Sequence, residues 1–293
     1  MTRKRPAIDH LVLAWQDLEA ARAQYRRIGF TLTPPARHPF GTGNSLAQLQ
    51  GNFLELLSVV EPEKLVPMGE SRFSFGAFNA DFLKRREGLS MLVLTSDDAL
   101  ADNEAWAARG LATFEPLHFS RQAKQPDGGS ATVSFSLAFA IDPAMPEAAF
   151  FVCQQHNPEA FWQPNYQQHE NGAHQIVGAT LLAETPEAHR AFFERMVSPE
   201  ALQSLDGGFE VALEGGRIEV LSESVLGRRF ASDARIDGQR GAAFVATTIA
   251  VADLKAVSRL LASNGVPFAE RSEAIEVPPS EAGGTLLEFV PVA

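Results

Sequence analysis

Two residues that commonly bind metals stand inside apolar stretches near the start of the chain. His10 interrupts the run from Ile8 to Trp15, and Glu55 interrupts the run from Asn52 to Val60. A charge buried in a strand is costly unless it is paired, and a divalent cation shared by an imidazole nitrogen and a carboxylate oxygen would remove that cost. Each residue is also common as a structural group, a histidine bonded to a carbonyl or a glutamate paired with an arginine. The two residues alone leave both interpretations open.

A loop between these two stretches supplies further polar groups. Residues 37–44 read RHPFGTGN, and we expect Arg37, His38, Phe40 and Asn44 to contact a substrate there. The loop lacks the Gly-Lys-Ser/Thr ending of a phosphate-binding loop, so a nucleotide site is disfavoured. Its glycines either let backbone N–H groups approach an anionic or carbonyl oxygen or only close a tight hairpin, and the sequence favours neither.

Aromatic residues cluster in two places that would border such a site. Phe73, Phe75, Phe78 and Phe82 recur at helical spacings, which most often indicates a buried helix edge and otherwise the wall of an apolar pocket. Trp162 lies in the segment from 156 to 174, which is rich in polar and aromatic residues and separates the two halves of the chain. We expect Phe75 and Trp162 to contact a substrate.

The stretch from Ile8 to Val60 predicts the order βαβββ. A strand at Ile8–Trp15 precedes the cap residue Asp17, a helix with apolar residues three and four apart, and the terminating Gly29. Strands are then predicted at 30–33, 45–50 and 52–60.

Three later segments repeat this order, beginning near Leu89, Ile176 and Phe244. In the second module the later strands are predicted near 112–122, 130–140 and 148–155. The third module has a helix opening at Thr185–Pro186–Glu187 and one strand that is short or missing. Four βαβββ modules predict an α+β protein with two curved, mixed but mostly antiparallel sheets, in domains spanning residues 1–160 and 174–293.

The first module, with IDHLVLAWQDLEAARAQYRRIGF leading to NFLELLSVV, resembles the vicinal oxygen chelate superfamily, also called glyoxalase-like or bleomycin-resistance-like proteins. The RHPFGTGN loop is similar to that of the long glyoxalase-like proteins. The resemblance implies the glyoxalase-like fold and assigns metal-ligand roles to His10 and Glu55. At this family spacing the metal interpretation is favoured over the structural one.

The resemblance also indicates where the ligand set is incomplete. Met91 aligns with His10 in the second module, and a thioether is a poor ligand for a hard cation. On the fourth strand either Val152 or Gln154 aligns with Glu55, depending on register, and Gln154 is our choice for a third metal ligand. His118 and His156 are the other candidate donors.

The C-terminal modules have Gly178 and Ala246 where His10 stands, so we expect no metal in that half. Glu219 and Glu288 would then be relics or partners of Arg217 or Arg271. An extradiol dioxygenase would need histidines at both first-strand positions and is disfavoured.

Composition restricts the remaining function classes. The chain has 293 residues and a net charge of -11, which disfavours a nucleic-acid partner. It has no apolar run of membrane-spanning length. Cys153 is the only cysteine, which excludes an internal disulfide. We expect a cytoplasmic protein that binds a small molecule. A homodimer is compatible with this sequence.

The resemblance implies a glyoxalase-like enzyme of the lyase or isomerase type that uses a divalent cation such as Zn, Fe, Mn or Ni. Glu55 and His38 are the catalytic candidates, and the substrate is expected to be small and oxygenated or hydrophobic. The alternative is a metal-free protein that binds or sequesters a hydrophobic small molecule, as resistance-type relatives do.

Overall fold

A computed structural model describes residues 5–124, 128–236 and 239–292. Its strands form two eight-stranded sheets. The first contains β1 (Ile8–Ala14), β2 (Ala36–Arg37), β3 (Thr42–Gln48), β4 (Phe53–Val59), β5 (Gly88–Thr95), β6 (Leu117–Lys124), β7 (Ser130–Ala140) and β8 (Ala149–Gln155). The second contains β9 (Ala173–Leu182), β10 (Leu202–Leu205), β11 (Gly208–Leu213), β12 (Gly216–Leu221), β13 (Ala243–Val251), β14 (Ala269–Arg271), β15 (Ala274–Val277) and β16 (Leu286–Pro291).

Eight α-helices connect the described strands. They are α1 (Leu18–Arg27), α2 (Phe75–Leu83), α3 (Ala99–Ala108), α4 (Pro158–Phe161), α5 (Arg190–Met196), α6 (Glu223–Arg229), α7 (Leu254–Ser263) and α8 (Pro279–Ala282). Short 3-10 turns lie at Pro62–Lys64, Pro164–Tyr166, Pro186–His189 and Pro199–Ala201.

The predicted helix starts are present as side-chain caps. Asp17, Asp98 and Asp253 each accept hydrogen bonds from backbone N–H groups in the first turn of α1, α3 and α7. These bonds satisfy donors that a helix cannot pair internally. Gly29 and Gly265 adopt φ values of +95° and +63° just after α1 and α7, where a left-handed residue ends the helix.

Both sheets have the same topology. In the first, β1 pairs in parallel with β4 and antiparallel with β5, and β5 pairs in parallel with β8. In the second, β9 and β13 are the central antiparallel pair, flanked in parallel by β12 and β16. The prediction of an α+β fold built from paired βαβββ modules is therefore confirmed.

Of three local predictions, two were wrong and one agrees with the structure. No strand is present at residues 30–33, and the second strand of the first module is the two-residue β2 after the prolines. The strand expected to be short or missing in the third module is the four-residue β10, which pairs with β11. A single helix was expected from Thr185, but the segment forms a 3-10 turn and then α5, because the backbone hydrogen-bonding pattern changes within it.

The strand register identifies equivalent residues in the four modules. His10 lies opposite Phe53, Met91 opposite Ala149, Gly178 opposite Arg217 and Ala246 opposite Leu286. Two residues further along each fourth strand stand Glu55, Phe151, Glu219 and Glu288. The residue equivalent to Glu55 in the second module is therefore Phe151, and neither Val152 nor Gln154, the two residues expected there, occupies that position.

One face of the first sheet carries the site. Alternation along β4 sends Leu54 and Leu56 into a core shared with the second sheet, while Phe53 and Leu57 belong to a separate, aromatic-rich core. Hydrogen bonds in both directions between Asn52 and the backbone of Ile176, at 3.0 and 2.9 Å, also connect the halves. Because the large core is shared, the division into domains at 1–160 and 174–293 stays a prediction.

Among the described helices, none combines the length and apolar character needed to cross a membrane.

Candidate functional site

An extra residue in β1 places two adjacent polar side chains at one site. Pairing with β5 shifts register between Ile8 and His10, and Asp9 is the residue that has no opposite partner. Asp9 and His10 are both buried, and His10 Nδ1 lies 2.6 Å from Asp9 Oδ1. Gln155 Nε2 donates to the other Asp9 oxygen at 2.9 Å. Asp9 therefore orients the His10 imidazole, and the hydrogen bond from Gln155 orients Asp9.

His10 and Glu55 face each other in the same cavity. His10 Nε2 lies 3.6 Å from Glu55 Oε2, and both side chains are at most 7% exposed. Asn44 Nδ2 donates to Glu55 Oε1 at 2.6 Å. When His10 Nδ1–H donates to Asp9, Nε2 presents a lone pair toward a carboxylate. Two acceptors at this separation repel each other unless a proton or a cation lies between them.

His38 completes the polar group on the far side of Glu55. Its Nδ1 lies 2.8 Å from Thr42 Oγ1, and its Nε2 lies 3.7 Å from Glu55 Oε1 and 3.3 Å from Asn44 Nδ2. Burial, together with the charges of Arg121 and His10, lowers the pKa of His38 to about 3. His38 is therefore neutral, with Nδ1–H donating to Thr42 and Nε2 accepting from Asn44.

Glu55 has the opposite electrostatic environment. Burial raises the pKa of its carboxyl, and the charge of His10 and the hydrogen bond from Asn44 oppose that rise only in part. A buried carboxylate with a raised pKa is a stronger base than a solvated one and is typical of functional sites.

The cavity around these groups is mostly aromatic and has a volume of about 40 Å³. This volume accommodates a cation and a water molecule or two, so a larger ligand requires side chains at the mouth to move. Its walls are formed by His10, His38, Phe40, Asn44, Leu46, Phe53, Glu55, Phe75, Phe119, Arg121, Phe135, Leu137, Phe151, Cys153 and Phe161.

Two of the expected substrate contacts lie elsewhere. The Arg37 side chain is 69% exposed and pairs with Glu61 at 3.1 Å outside the cavity. Trp162 packs against Phe53 and Phe161 and does not line the cavity. The expected contacts that do line it are His38, Phe40, Asn44 and Phe75.

The loop that carries His38 is a tight hairpin. His38 N donates to Thr42 O at 2.8 Å, and Gly41 has a φ of +91°. A Cβ at Gly41 would lie 2.7 Å from Glu61 O, so this glycine serves the turn. The hairpin interpretation is the one that the structure supports.

Gln154 is not beside His10 and Glu55. Its amide oxygen accepts from Ala99 N at 3.2 Å and its amide nitrogen donates to Asp97 O at 2.8 Å, at the start of α3. Neighbouring residues of a strand face opposite ways, so Cys153 and Gln155 turn toward the site and Gln154 turns away. The expected third ligand is therefore misplaced by one residue.

The alternative histidine donors are also outside the cavity. His118 and His156 are exposed and contact Ser136 Oγ from either side, at 2.9 and 2.8 Å. They do not line the cavity.

Sequence reasoning missed three residues with titratable side chains at the site, Asp9 behind His10 and Arg121 and Cys153 in the cavity wall. Asp9 had a signal, because it adjoins His10 in an otherwise apolar strand. Arg121 and Cys153 had none, because their orientation depends on pairing across β6, β7 and β8. Burial raises the pKa of the Cys153 thiol, and the charges of Asp9 and Glu55 raise it further. Cys153 is thus a protonated wall residue.

The equivalent position in the second sheet holds a guanidinium group. Arg229, at the end of α6, donates two hydrogen bonds to Glu288 at 2.6 and 2.8 Å and one to Glu219 at 3.0 Å. Thr180 and Thr248 donate to the same two carboxylates at 3.0 and 2.8 Å. The arginines that were expected to pair with Glu219 and Glu288 contribute less than Arg229 does.

Arg217 lies 3.6 Å from Glu219, and Arg271 pairs with Glu276, not with Glu288. That the C-terminal half has no metal stays a prediction. It is supported by the positive charge of Arg229 between the two carboxylates.

The residues of the first cavity fit a divalent cation in part. Asp9 holds His10 in the way that a carboxylate orients a metal-binding histidine, and Asn44 Oδ1 is a buried oxygen with no hydrogen-bond partner. Against this, no group of three or more His, Cys, Asp or Glu side chains in the described ranges is arranged to hold a metal. His10 and Glu55 would be the protein ligands, with Asn44 Oδ1 nearby and the other positions open to water or substrate.

Known proteins share this sequence pattern and fold. A family model described as a glyoxalase-like domain matches residues 8–197. No curated protein matches the chain significantly. Among solved structures, a hypothetical protein from Staphylococcus aureus is similar with a TM-score of 0.70 and 14% identity, covering 97% of this chain and 99% of that one.

Two further structures are similar over nearly the whole chain. A xylose isomerase-like TIM barrel/4-hydroxyphenylpyruvate dioxygenase fusion protein has a TM-score of 0.57 and 13% identity, covering 98% of this chain and 49% of that one. A mutant of 4-hydroxymandelate synthase from Streptomyces coelicolor has a TM-score of 0.56 and 10% identity, covering 99% and 93%. At these identities the likeness establishes the fold alone.

Proposed function

The chain belongs to the glyoxalase-like domain family, and on that basis we propose that it is a divalent-metal-dependent enzyme of the lyase or isomerase type. The observation that carries the proposal is the pair of acceptors formed by His10 Nε2 and Glu55 Oε2, 3.6 Å apart in a mostly aromatic cavity. Its substrate is a small molecule. The free, buried Cys153 agrees with a cytoplasmic location, where thiols stay reduced.

A cation held by His10 and Glu55 would act as a Lewis acid on a substrate oxygen. Asp9 keeps His10 in the tautomer whose Nε2 is free, and Asn44 holds Glu55 Oε1 while Oε2 faces His10 Nε2. The aromatic walls exclude water, which strengthens every charge interaction inside.

Glu55 is the base in this proposal, through the carboxylate oxygen that does not hold the cation. The proton on a carbon next to a carbonyl passes to that oxygen, and the electron pair moves onto the carbonyl oxygen. Return of the proton to a neighbouring carbon completes an isomerase reaction, and departure of a leaving group completes a lyase reaction. His38 is neutral and accepts a hydrogen bond at Nε2, which positions Asn44 or a substrate hydroxyl.

The test is the metal content of untagged protein and of two variants, His10→Ala and Glu55→Gln, with folding followed by circular dichroism. We expect the parent to bind a transition metal and both folded variants to lose it. His118→Ala is the matched control, because it removes an exposed imidazole outside the cavity and should leave the tightly bound metal unchanged. Variants that fold and retain metal like the parent would place the site elsewhere.

A second candidate is metal-free binding of a small hydrophobic molecule. The specific observation in its favour is that Met91 and Phe151 stand at the two second-module positions equivalent to His10 and Glu55. Those positions therefore offer an apolar wall and no ligand to a hard cation. A parent protein that binds no metal but binds apolar ligands would support this candidate.

A further inference from the structure

Arg121 is the one charged residue in the cavity lining for which the proposed function gives no role. It lies on β6 opposite Val133, two residues beyond the paired Phe119 and Phe135, and lines the cavity with them. Its Nε is buried and has no hydrogen-bond partner. Within the described ranges no carboxylate lies within ion-pair distance of it. Burial lowers the pKa of Arg121, and the charge of Glu55 opposes that shift.

A guanidinium group in such surroundings calls for an anion. Arginine stays charged at every physiological pH, and although Arg121 is only half-buried, its buried Nε without a partner is costly. Glu55 is the acid whose charge acts on Arg121, but its carboxylate already accepts a hydrogen bond from Asn44 and faces His10. The donors of Arg121 therefore remain available to a ligand.

The charges of the cavity lead to the same conclusion. A divalent cation at His10 and Glu55 would add two positive charges to the one on Arg121, against the carboxylates of Asp9 and Glu55. One positive charge is then left over, and a singly charged anion would neutralise it. The planar fork of arginine matches the two oxygens of a carboxylate, which it binds through two parallel hydrogen bonds.

The walls restrict the rest of the ligand. Phe40 and Phe119 pack edge to face with centroids 5.2 Å apart and are only half-buried, so they are the side chains that can move for a larger molecule. Phe119, Phe135 and Phe40 offer no hydrogen-bonding groups, which favours an apolar body next to the charged end.

We propose that Arg121 is the carboxylate-binding residue of this cavity and that the ligand class is a small monocarboxylate with an apolar body. This inference rests on the proposed function for the identity of the site, but it concerns a different residue and a different bond. Arg121 is a binding residue whose loss should weaken carboxylates selectively and leave the metal in place.

The experiment measures binding by titration calorimetry of two carboxylates, butyrate and phenylacetate, and of their neutral amides, butyramide and phenylacetamide. Parent protein with its native metal is compared with Arg121→Met and Arg121→Lys. We expect Arg121→Met to bind the carboxylates roughly tenfold or more weakly, with the amides nearly unchanged. Arg121→Lys should be intermediate, because it keeps the charge but loses the planar fork. Arg259→Met removes an exposed arginine and is the control for net charge.

Metal content, measured on the same samples, separates this inference from the proposed function. Retained metal with a selective loss of carboxylate binding in Arg121→Met supports the inference. Equal weakening of acids and amides, or no binding of the acids by the parent, overturns it even when metal is bound. If the parent holds no metal and Arg121 still selects carboxylates, the metal-dependent function fails and the inference stands. Should Arg121→Met not fold, the same comparison with Arg121→Lys gives the result.

Discussion

Replacing Arg229 by methionine should be among the most destabilising single changes in the C-terminal half. Arg229 is the cation shared by Glu219 and Glu288, and its side chain is 21% exposed while that of Glu288 is 2% exposed. Burial opposes the charge of Arg229, but the hydrogen bonds to Glu288 and the charge of Glu219 outweigh it and raise the pKa of the guanidinium. The substitution would leave buried Glu288 without its cation and Glu219 with only Arg217, 3.6 Å away.

The expected cost follows from that uncompensated charge. Removing one partner of a buried ion pair typically costs about 3–5 kcal/mol, since the remaining charge keeps its desolvation penalty. For a chain of this length the melting temperature should fall by roughly 5–15 °C.

Arg228→Met is a matched control on the same helix. Arg228 pairs with Asp206 at 2.6 Å, but the two side chains are 68% and 87% exposed, and such surface pairs contribute at most about 1 kcal/mol. Urea and thermal unfolding, followed by circular dichroism, measure both variants. A double variant, Arg229→Met with Glu288→Gln, should lose less than the sum of its parts, because one unpaired charge disappears. If Arg229→Met costs no more than Arg228→Met, the account of this centre is wrong.

Two further predictions concern stability. Burial raises the pKa of Glu55 above its ordinary 4.5, so above pH 4.5 the folded state binds more protons than the unfolded state. The unfolding free energy of metal-free protein should therefore fall as the pH rises from 4.5 to the raised pKa of Glu55 in the folded state. Glu55→Gln should flatten that dependence, and an unchanged slope in pH-dependent urea unfolding would contradict the assignment. Gly283 has a φ of +75°, and a Cβ there would lie 2.1 Å from Trp15 Cζ2, so Gly283→Ala should cost about 2–3 kcal/mol in thermal unfolding. Gly265→Ala, at a φ of +63° in open space, should cost only about 1 kcal/mol, and equal losses would refute the packing argument.

Local patterns in the sequence were sufficient for the modules and for one half of the site. An apolar strand followed by a helix recurs four times, and in three of the four modules an aspartate cap and a terminating glycine bound the helix. Each of these features depends only on neighbouring residues. His10 and Glu55 were identified in the same way, as polar residues inside apolar strands at a family spacing. The α+β fold and the pairing of modules followed from these repeats.

The remaining features depended on contacts between residues far apart in the chain. The pairing of β8 with β5 and β7 decides that Phe151 and Cys153 turn toward the cavity and that Gln154 turns away, since a shift of one residue reverses a strand's faces. Arg121 lines the same cavity as Glu55 only because β6 closes one edge of the sheet. Arg229 reaches Glu219 and Glu288 only because α6 lies against the second sheet, so the sequence alone pointed to other arginines. The sequence directly specifies side-chain identity and local period. Register and packing determine which side chains meet across a sheet.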